Sequence, residues 1–354
     1  MDIETKMGIV KSAPLEEMIT EQEMRVLFET KQHPKHYLGL EISGMPHIGH
    51  LLFGGKKIND LASIGVETQV LLADWHTMAN NKFGGDWDRI IRASGFYRKM
   101  FGIFCPKTKV VLGSDLYHSN DDYWKMIIQV ARRTTMARAT RTLIIEGRSE
   151  KDTLHVSQYI YPIMQAVDIH ALGVDIPHAG MDQRRVHMLA KEAFRELKLG
   201  TIVPIHHHLM PSLVEQPRQK AEGESKEEAV AALKMSKSKP GSTVPVIATE
   251  EEISKTMRSA WCPERVVEGN PVLELSRYAL LPISGALKIE RKREYGGDVE
   301  YTDYAQLEGD FAAGKLHPMD LKAAAARALS HILGPVRGAF SERDLEVFRE
   351  TPAA

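Results

Sequence analysis

Two histidines three residues apart, His47 and His50, and two lysines, Lys234 and Lys237, have the types and settings that suit chemistry on a polyphosphate. Ahead of the histidines, Tyr37 to Ile42 is a short and mostly apolar run that reads as a buried strand. Ser43-Gly44-Met45-Pro46 is turn chemistry, and from His47 the apolar residues Ile48, Leu51, Leu52 and Ile58 move to helical spacing. His47-Ile48-Gly49-His50 is therefore expected where a strand hands over to a helix. Unpaired N–H groups and the positive end of the dipole would favour an anion there. Three apart, the two imidazoles share a helix face, and Gly49 is expected to leave room for a nucleotide. Lys234-Met235-Ser236-Lys237-Ser238, closed by Lys239-Pro240-Gly241, reads as a mobile basic loop. Such a loop can bring positive charge to phosphates as their charge builds in a transition state.

The elements around these residues alternate. Thr20 and Glu23 have capping-box spacing before a helix to about Glu29. Thr68–Asp74 and Lys109–Ser114 read as strands separated by a helix from Trp87 to Phe104. Helical stretches near 121–147, 157–172 and 183–198 follow, and then a last strand over Gly200–His208. The pattern predicts an α/β fold, a parallel sheet with helices on both faces and ligands at the carboxyl ends of its strands. Glu215 to Ala232 is an acidic, Gln- and Ala-rich insertion. Beyond it strands largely stop, with helices predicted over 250–261 and 320–333, the latter ended by Gly334-Pro335. A mainly helical second domain is expected from about residue 245.

Composition narrows the class without naming a substrate. The 354 residues carry a net charge of −1, with 26% charged side chains, so any nucleic-acid contact must come from local patches. No apolar run approaches membrane-spanning length and no signal-peptide core is present, so a cytoplasmic protein without membrane or DNA partners is expected. Cys105 and Cys262 show no disulfide framework or metal spacing. His206-His207-His208 offers at most two ligands on one strand face and reads as an ordinary strand end.

On the helix predicted near 157–172, Tyr161, Gln165 and Asp168 stand at i, i+4 and i+7. An aromatic hydroxyl, an amide and a carboxylate on one face suit a polar ligand. Arg132, Arg133, Arg138 and Arg141, with Arg184 and Arg185, are candidates for phosphate contacts, as are Lys288, Arg291, Lys292 and Arg293.

His47–His50 and Lys234–Ser238, in that order, resemble the two signature motifs of class I aminoacyl-tRNA synthetases. Tyr161–His170 and Gly180–Arg184, with Tyr37, Glu41, Ala73 and His76 ahead of them, resemble the tyrosine-binding segments of the archaeal and eukaryotic-type tyrosyl-tRNA synthetases. Tyr295–Asp298 and His317–Asp320 resemble that family's anticodon-binding domain. The resemblance implies a Rossmann-type catalytic domain over 1–244, with an inserted tRNA acceptor and dimer segment at about 116–175, and a helical anticodon-binding domain over 245–354. It implies tyrosine activation by ATP, with magnesium, and transfer to tRNA(Tyr) by a homodimer. Tyr37 and Asp168 would take the substrate hydroxyl, and Tyr161, Gln165 and Gln183 its α-amino group, with Glu41, Ala73 and His76 completing that site. ATP would meet Gly44, His47, Gly49, His50, Met235, Ser236, Lys237 and Ser238, with Lys234 and Lys237 on the leaving pyrophosphate. Arg132, Arg133, Arg184, Tyr295, His317 and Asp320 would contact tRNA. A tryptophanyl-tRNA synthetase or a non-catalytic tRNA-binding paralogue is the alternative, and no P-loop motif is present.

Overall fold

The computed structural model describes residues 1–145, 155–214, 235 and 241–349. By packing they divide into two units, the first comprising Met1–Gly44, Lys57–His207 and Asp344–Ala354, the second Met45–Lys56 and His208–Arg343. In chain order the first unit contains α1 (Ile3–Lys11), β1 (Leu15–Met18), α2 (Glu21–Thr30), β2 (Lys35–Leu40), α3 (Lys56–Ser63, entered from the second unit) and β3 (Glu67–Leu72). It continues with α4 (Asp74–Ala79), α5 (Trp87–Phe104), β4 (Lys109–Leu112), α6 (Gly113–Tyr117), α7 (Asp121–Ala131) and α8 (Met136–Ile145). α9 (Val156–Ala171), β5 (Ile176–Gly180), α10 (Arg184–Leu197) and β6 (Ile205–His207) complete it.

The sheet order is β1-β6-β5-β2-β3-β4, parallel throughout except for the antiparallel edge strand β1. Successive strand residues alternate faces, and two cores follow from that pleat. Tyr37 of β2 and Leu71 of β3 belong to a cluster with Val167 and Ile169 of α9 and Leu189 and Phe194 of α10. Ile176 of β5 and Ile205 of β6, on the other face, pack with Met7, Met24, Phe28 and Leu61 from α1, α2 and α3. Helices therefore cover both faces, as the alternation of elements implies. The expected capping box is present at Thr20 and Glu23.

Two local expectations are corrected here, and two strands were not expected. The helix expected over 121–147 is two helices, α7 and α8, separated by the turn after Arg132. Only Ile205–His207 of the stretch Gly200–His208 pairs as a strand. β5, Ile-Pro-His-Ala-Gly, is entirely buried yet escapes a propensity reading, because Pro and Gly weaken the strand signal. The edge strand β1 was also absent from the pattern.

In the second unit, a π-helical segment over His50–Gly55 leads into α3. α11 (Glu250–Ser259), α12 (Pro271–Leu275) and α13 (Leu281–Ser284) follow, then β7 (Leu287–Ile289), antiparallel to β8 (Val299–Tyr301). α14 (Tyr304–Ala312) and α15 (Pro318–Arg337) come next, and α11 packs along α15. α15 does not end at Gly334-Pro335. Leu333 and Val336 stay buried across the proline, and Arg337 Nη1 donates to the Ala248 carbonyl at 3.1 Å.

Histidines knit the sheet of the first unit. His36, His178 and His207 lie on one face of neighbouring strands, with ring nitrogens 3.1 Å and 2.8 Å apart in sequence along the row. On the opposite face His206 meets His187 of α10 at 3.0 Å. Burial pushes His36 down to about 3 and holds His178 and His187 well below the usual imidazole range, so all three fold as neutral rings. A histidine whose folded pKa is depressed contributes stability above its unfolded pKa of about 6.5 that is lost as pH falls. Each such ring then costs about 1.4 kcal/mol per pH unit below that point. Asp168, raised by burial to about 7, titrates in the opposite sense and offsets one of the three. Urea unfolding should therefore give a clearly lower midpoint at pH 5.0 than at pH 7.0. Equal midpoints would contradict the neutral, buried assignment.

Candidate functional site

Asp168 is the centre of the first unit's polar interior. It lies on α9, 1% exposed, and loss of hydration pushes its carboxyl up to about 7 even though two phenols donate to it. Tyr123 Oη donates to Oδ1 at 2.8 Å and Tyr117 Oη to Oδ2 at 3.3 Å. Asp74, itself buried and raised by burial, adds a weaker unfavourable charge. His76 Nε2 stands 3.7 Å from Oδ2, beyond a good hydrogen bond, and burial lowers this ring to about 4. The Tyr37 hydroxyl is buried, and burial together with the Asp168 charge keeps it protonated well above the ordinary tyrosine range.

The face expected from spacing is present. The Tyr161 ring meets His76 edge-on at 4.5 Å, and Gln165 Nε2 donates to Gln183 Oε1 at 3.3 Å, just ahead of α10. Ala73 is buried at the end of β3, while His76 lies on α4 rather than on a strand. Glu41 is drawn elsewhere: Asn80 Nδ2 donates to it at 2.6 Å, and Lys82 approaches at 3.9 Å.

Tyr117, Tyr123 and Asp74 were not found by sequence reasoning. Gly113 lets them assemble, because a Cβ there would stand 2.7 Å from Asp74 Oδ1 and 2.9 Å from the Tyr117 ring. Asp74 in turn accepts the backbone N–H groups of Trp75 at 2.8 Å and Ser114 at 3.0 Å. The one local signal was Asn120, whose side chain caps α7 by accepting the Tyr123 N–H.

The histidine pair belongs to the second unit, and its rings meet edge to face at 4.3 Å. The N–H groups expected to be open to an anion are already engaged. His47 N–H reaches His50 Nδ1 at 3.2 Å, Ile48 N–H the Val244 carbonyl at 2.9 Å, and Gly49 N–H His47 Nδ1 at 3.1 Å. Because His47 Nδ1 accepts that bond, its neutral ring carries its proton on Nε2. His50 Nδ1 also lies 3.1 Å from the His47 carbonyl, so either tautomer is satisfied. A Cβ at Gly49 would stand 2.8 Å from the His47 ring, so the glycine makes room for that side chain. Gly44, in the first unit, needs its glycine for φ +110°, and Tyr97 Oη donates to its carbonyl at 2.8 Å.

Met235 is buried; its N–H donates to the Met210 carbonyl at 3.0 Å and its sulfur accepts from Thr243 at 3.1 Å. Lys234, Ser236, Lys237 and Ser238 lie outside the described residues, as does the acidic insertion.

Among the expected RNA contacts, Arg132 and Arg133 are exposed at the end of α7, and Arg133 Nη1 donates to the Gln129 carbonyl at 2.9 Å. Arg184 opens α10, with its Nε held by Glu17 at 2.8 Å. Tyr295 is 65% exposed, and His317 caps α15 by accepting the Met319 N–H, one turn from Asp320. Arg291 is turned inward onto the Gly297 and Lys315 carbonyls. His206, His207 and His208, read as a plain strand end, have distinct partners: Glu17, His178 and Glu274.

The model of the class I tRNA synthetases (W and Y) matches residues 29–334. A tyrosine–tRNA ligase of Thermococcus gammatolerans is 40% identical, covering 99% of both chains. That of Pyrococcus horikoshii is 39% identical over 99% of this chain and 98% of its own. The crystal structure of the Pyrococcus horikoshii tyrosyl-tRNA synthetase with L-tyrosine superposes with a TM-score of 0.89 at 38% identity, covering 98% of this chain and 99% of that one. A Plasmodium falciparum tryptophanyl-tRNA synthetase shares the fold, with a TM-score of 0.67 at 12% identity, covering 98% of this chain and 89% of that one.

Because the Tyr123 hydroxyl favours the ionised carboxylate, Tyr123→Phe should move the Asp168 titration upward from about 7. Carboxyl carbon chemical shifts followed against pH read this directly. An unmoved or lowered midpoint would contradict the role of that 2.8 Å bond.

Proposed function

The chain belongs to the tyrosine–tRNA ligases of the class I tRNA synthetases, and from that membership we propose how its residues divide the work. The activity is the activation of L-tyrosine by ATP and the loading of tRNA. The observation that carries the assignment of roles is the buried Asp168 carboxylate, held by two phenols on the helix that also presents Gln165 and Tyr161. A hydroxyl-bearing substrate offers that carboxylate a donor, and an amino acid without one leaves a buried charge underpartnered. Asp168 and Tyr37 take the phenol, Tyr161, Gln165 and Gln183 the ammonium group, and Ala73, His76 and Glu41 the remaining contacts.

A carboxylate oxygen of tyrosine attacks the α-phosphorus of ATP. That forms a C–O–P link as the bond to the bridging oxygen of pyrophosphate breaks. A terminal ribose hydroxyl of the tRNA then attacks the activated carbonyl, AMP leaves, and the hydroxyl proton passes to solvent or phosphate. The protein supplies no covalent intermediate; placement and charge do the work. His47 and His50 meet phosphate through imidazole N–H, since the backbone amides at that helix start are engaged within the chain. Lys234 and Lys237 offset the charge on the departing pyrophosphate, and Met235, Ser236, Ser238 and Gly44 contact ATP. Magnesium would be held by the ATP phosphate oxygens and would supply charge neutralisation there.

Residues 1–244 carry catalysis and residues 245–354 hold the anticodon. Arg132, Arg133 and Arg184 serve the acceptor end, Arg184 at its first base pair. Asp320 reads an anticodon base, with Tyr295 and His317 beside it, unpaired bases being open to stacking and edge contacts. A second copy covers α7, where Trp124 and Ile128 are exposed four residues apart. No described helix is long and apolar enough to cross a membrane, and a cytoplasmic site of action fits the substrates.

Pyrophosphate exchange into ATP, run with tyrosine and with tryptophan, tests the assignment. Exchange should depend on tyrosine and be at least about a hundredfold slower with tryptophan at equal concentration, a margin a polar pocket can supply. Equal or faster exchange with tryptophan would refute it.

A further inference from the structure

Arg184 is not simply an exposed arginine at the start of a helix. Its Nε–H is shared between both carboxylate oxygens of Glu17, at 2.8 and 2.9 Å. Glu17 Oε2 also meets His206 Nδ1 at 2.9 Å, and His206 Nε2 meets His187 Nδ1 at 3.0 Å. Both imidazoles are fully buried, and His187 lies one helical turn beyond Arg184 on α10. The arrangement closes on itself: α10 to β1, β1 to β6, and β6 back to α10. Its register is set by the sheet, since Glu17 pairs opposite His206 after a bulge that follows Leu15. A bulge of this kind re-aims the side chain that follows it. His206 and then Arg184 hold the Glu17 carboxyl below the usual range, so the clamp is ionised at neutral pH.

What the clamp leaves over is informative. A single N–H of the guanidinium is used, and among the described residues neither Nη amino group makes a hydrogen bond. The Arg184 side chain is 36% exposed. Reading a guanine edge takes two guanidinium N–H groups in a fixed plane, and an arginine side chain left to itself samples many rotamers. Fixing Nε from behind removes that freedom while the Nη edge stays available.

We propose that Glu17, backed by His206, is a positioning residue for acceptor-end specificity, fixing Arg184 so that its Nη edge reads the first base pair of the tRNA acceptor stem. The proposal rests on the acceptor-end role given to Arg184 above.

The test is aminoacylation of tRNA(Tyr) transcripts carrying either the native or an exchanged first acceptor pair, by wild type, Glu17→Ala, Glu17→Gln, Arg184→Ala and the double variant Glu17→Ala/Arg184→Ala. Tyrosine-dependent pyrophosphate exchange, which uses no tRNA, reports folding and normalises the charging rates. Glu17→Ala should lower kcat/KM for the native transcript about tenfold, the scale of one base contact, and change the exchanged transcript little. Discrimination then narrows as it does in Arg184→Ala, and the double variant loses no more than Arg184→Ala alone. Glu17→Gln, which keeps an acceptor for Nε–H, should lose less; it also serves if the alanine variant fails to fold. If Arg184→Ala loses discrimination and both Glu17 variants keep it, the positioning role is overturned and the acceptor-end reading stands. If Arg184→Ala itself discriminates like wild type, that reading fails and the proposal falls with it. Faster charging by Glu17→Ala would show that Glu17 restrains Arg184, which also overturns the proposal.

Discussion

A carboxylate removed from water must be given hydrogen bonds or give up its charge, and the interior of the first unit is organised around that requirement at Asp168. Two phenols from α6 and α7, a strand tyrosine on β2, an imidazole on α4 and an amide one turn back on α9 converge there. Three of those side chains are fixed by something further out. Gly113 admits Tyr117, Asn120 caps the helix that carries Tyr123, and the Leu40 carbonyl accepts the Ala73 N–H where β3 turns into α4. A carboxyl poised near 7 takes a hydrogen bond from a phenol more readily than one already fully satisfied. That is the basis of the selectivity proposed for the pocket.

In the second unit the backbone around the histidine pair is closed on itself. Its histidine tetrapeptide does not leave a bare helix end. The first backbone amides are consumed by two imidazole nitrogens and by the carbonyl of Val244, and Val246 N–H returns to the Pro46 carbonyl at 3.1 Å. This fixes the rings at the expense of backbone donors. The glycine between the histidines is required by the ring of His47. In each unit the candidate side chains are held by backbone contacts that sequence spacing does not specify.

Much of this was legible in the sequence because it depends on local spacing. Tyr161, Gln165 and Asp168 share a face by helical arithmetic, and α5, α9 and α10 lie close to the stretches read as helical. Contacts between distant segments were not legible. Nothing in the run from Gly113 to Tyr123 announces that two phenols meet a carboxylate on α9, since that depends on how the helices pack on the sheet. β5 was hidden by its proline and glycine, and α15 runs through Gly334-Pro335 because buried residues on both sides outweigh one missing N–H. The histidine run over 206–208 looked inert because each ring finds its partner on a different element.

The central claim is that the Asp168 carboxylate selects a hydroxyl-bearing substrate. The most direct measurement is kcat/KM for tyrosine and for phenylalanine in pyrophosphate exchange by wild type and Asp168→Asn. Loss of a charged acceptor should lower the tyrosine value about ten- to a hundredfold and leave phenylalanine nearly unchanged, so that the ratio between them collapses. Equal losses for both amino acids, with the ratio preserved, would contradict the account.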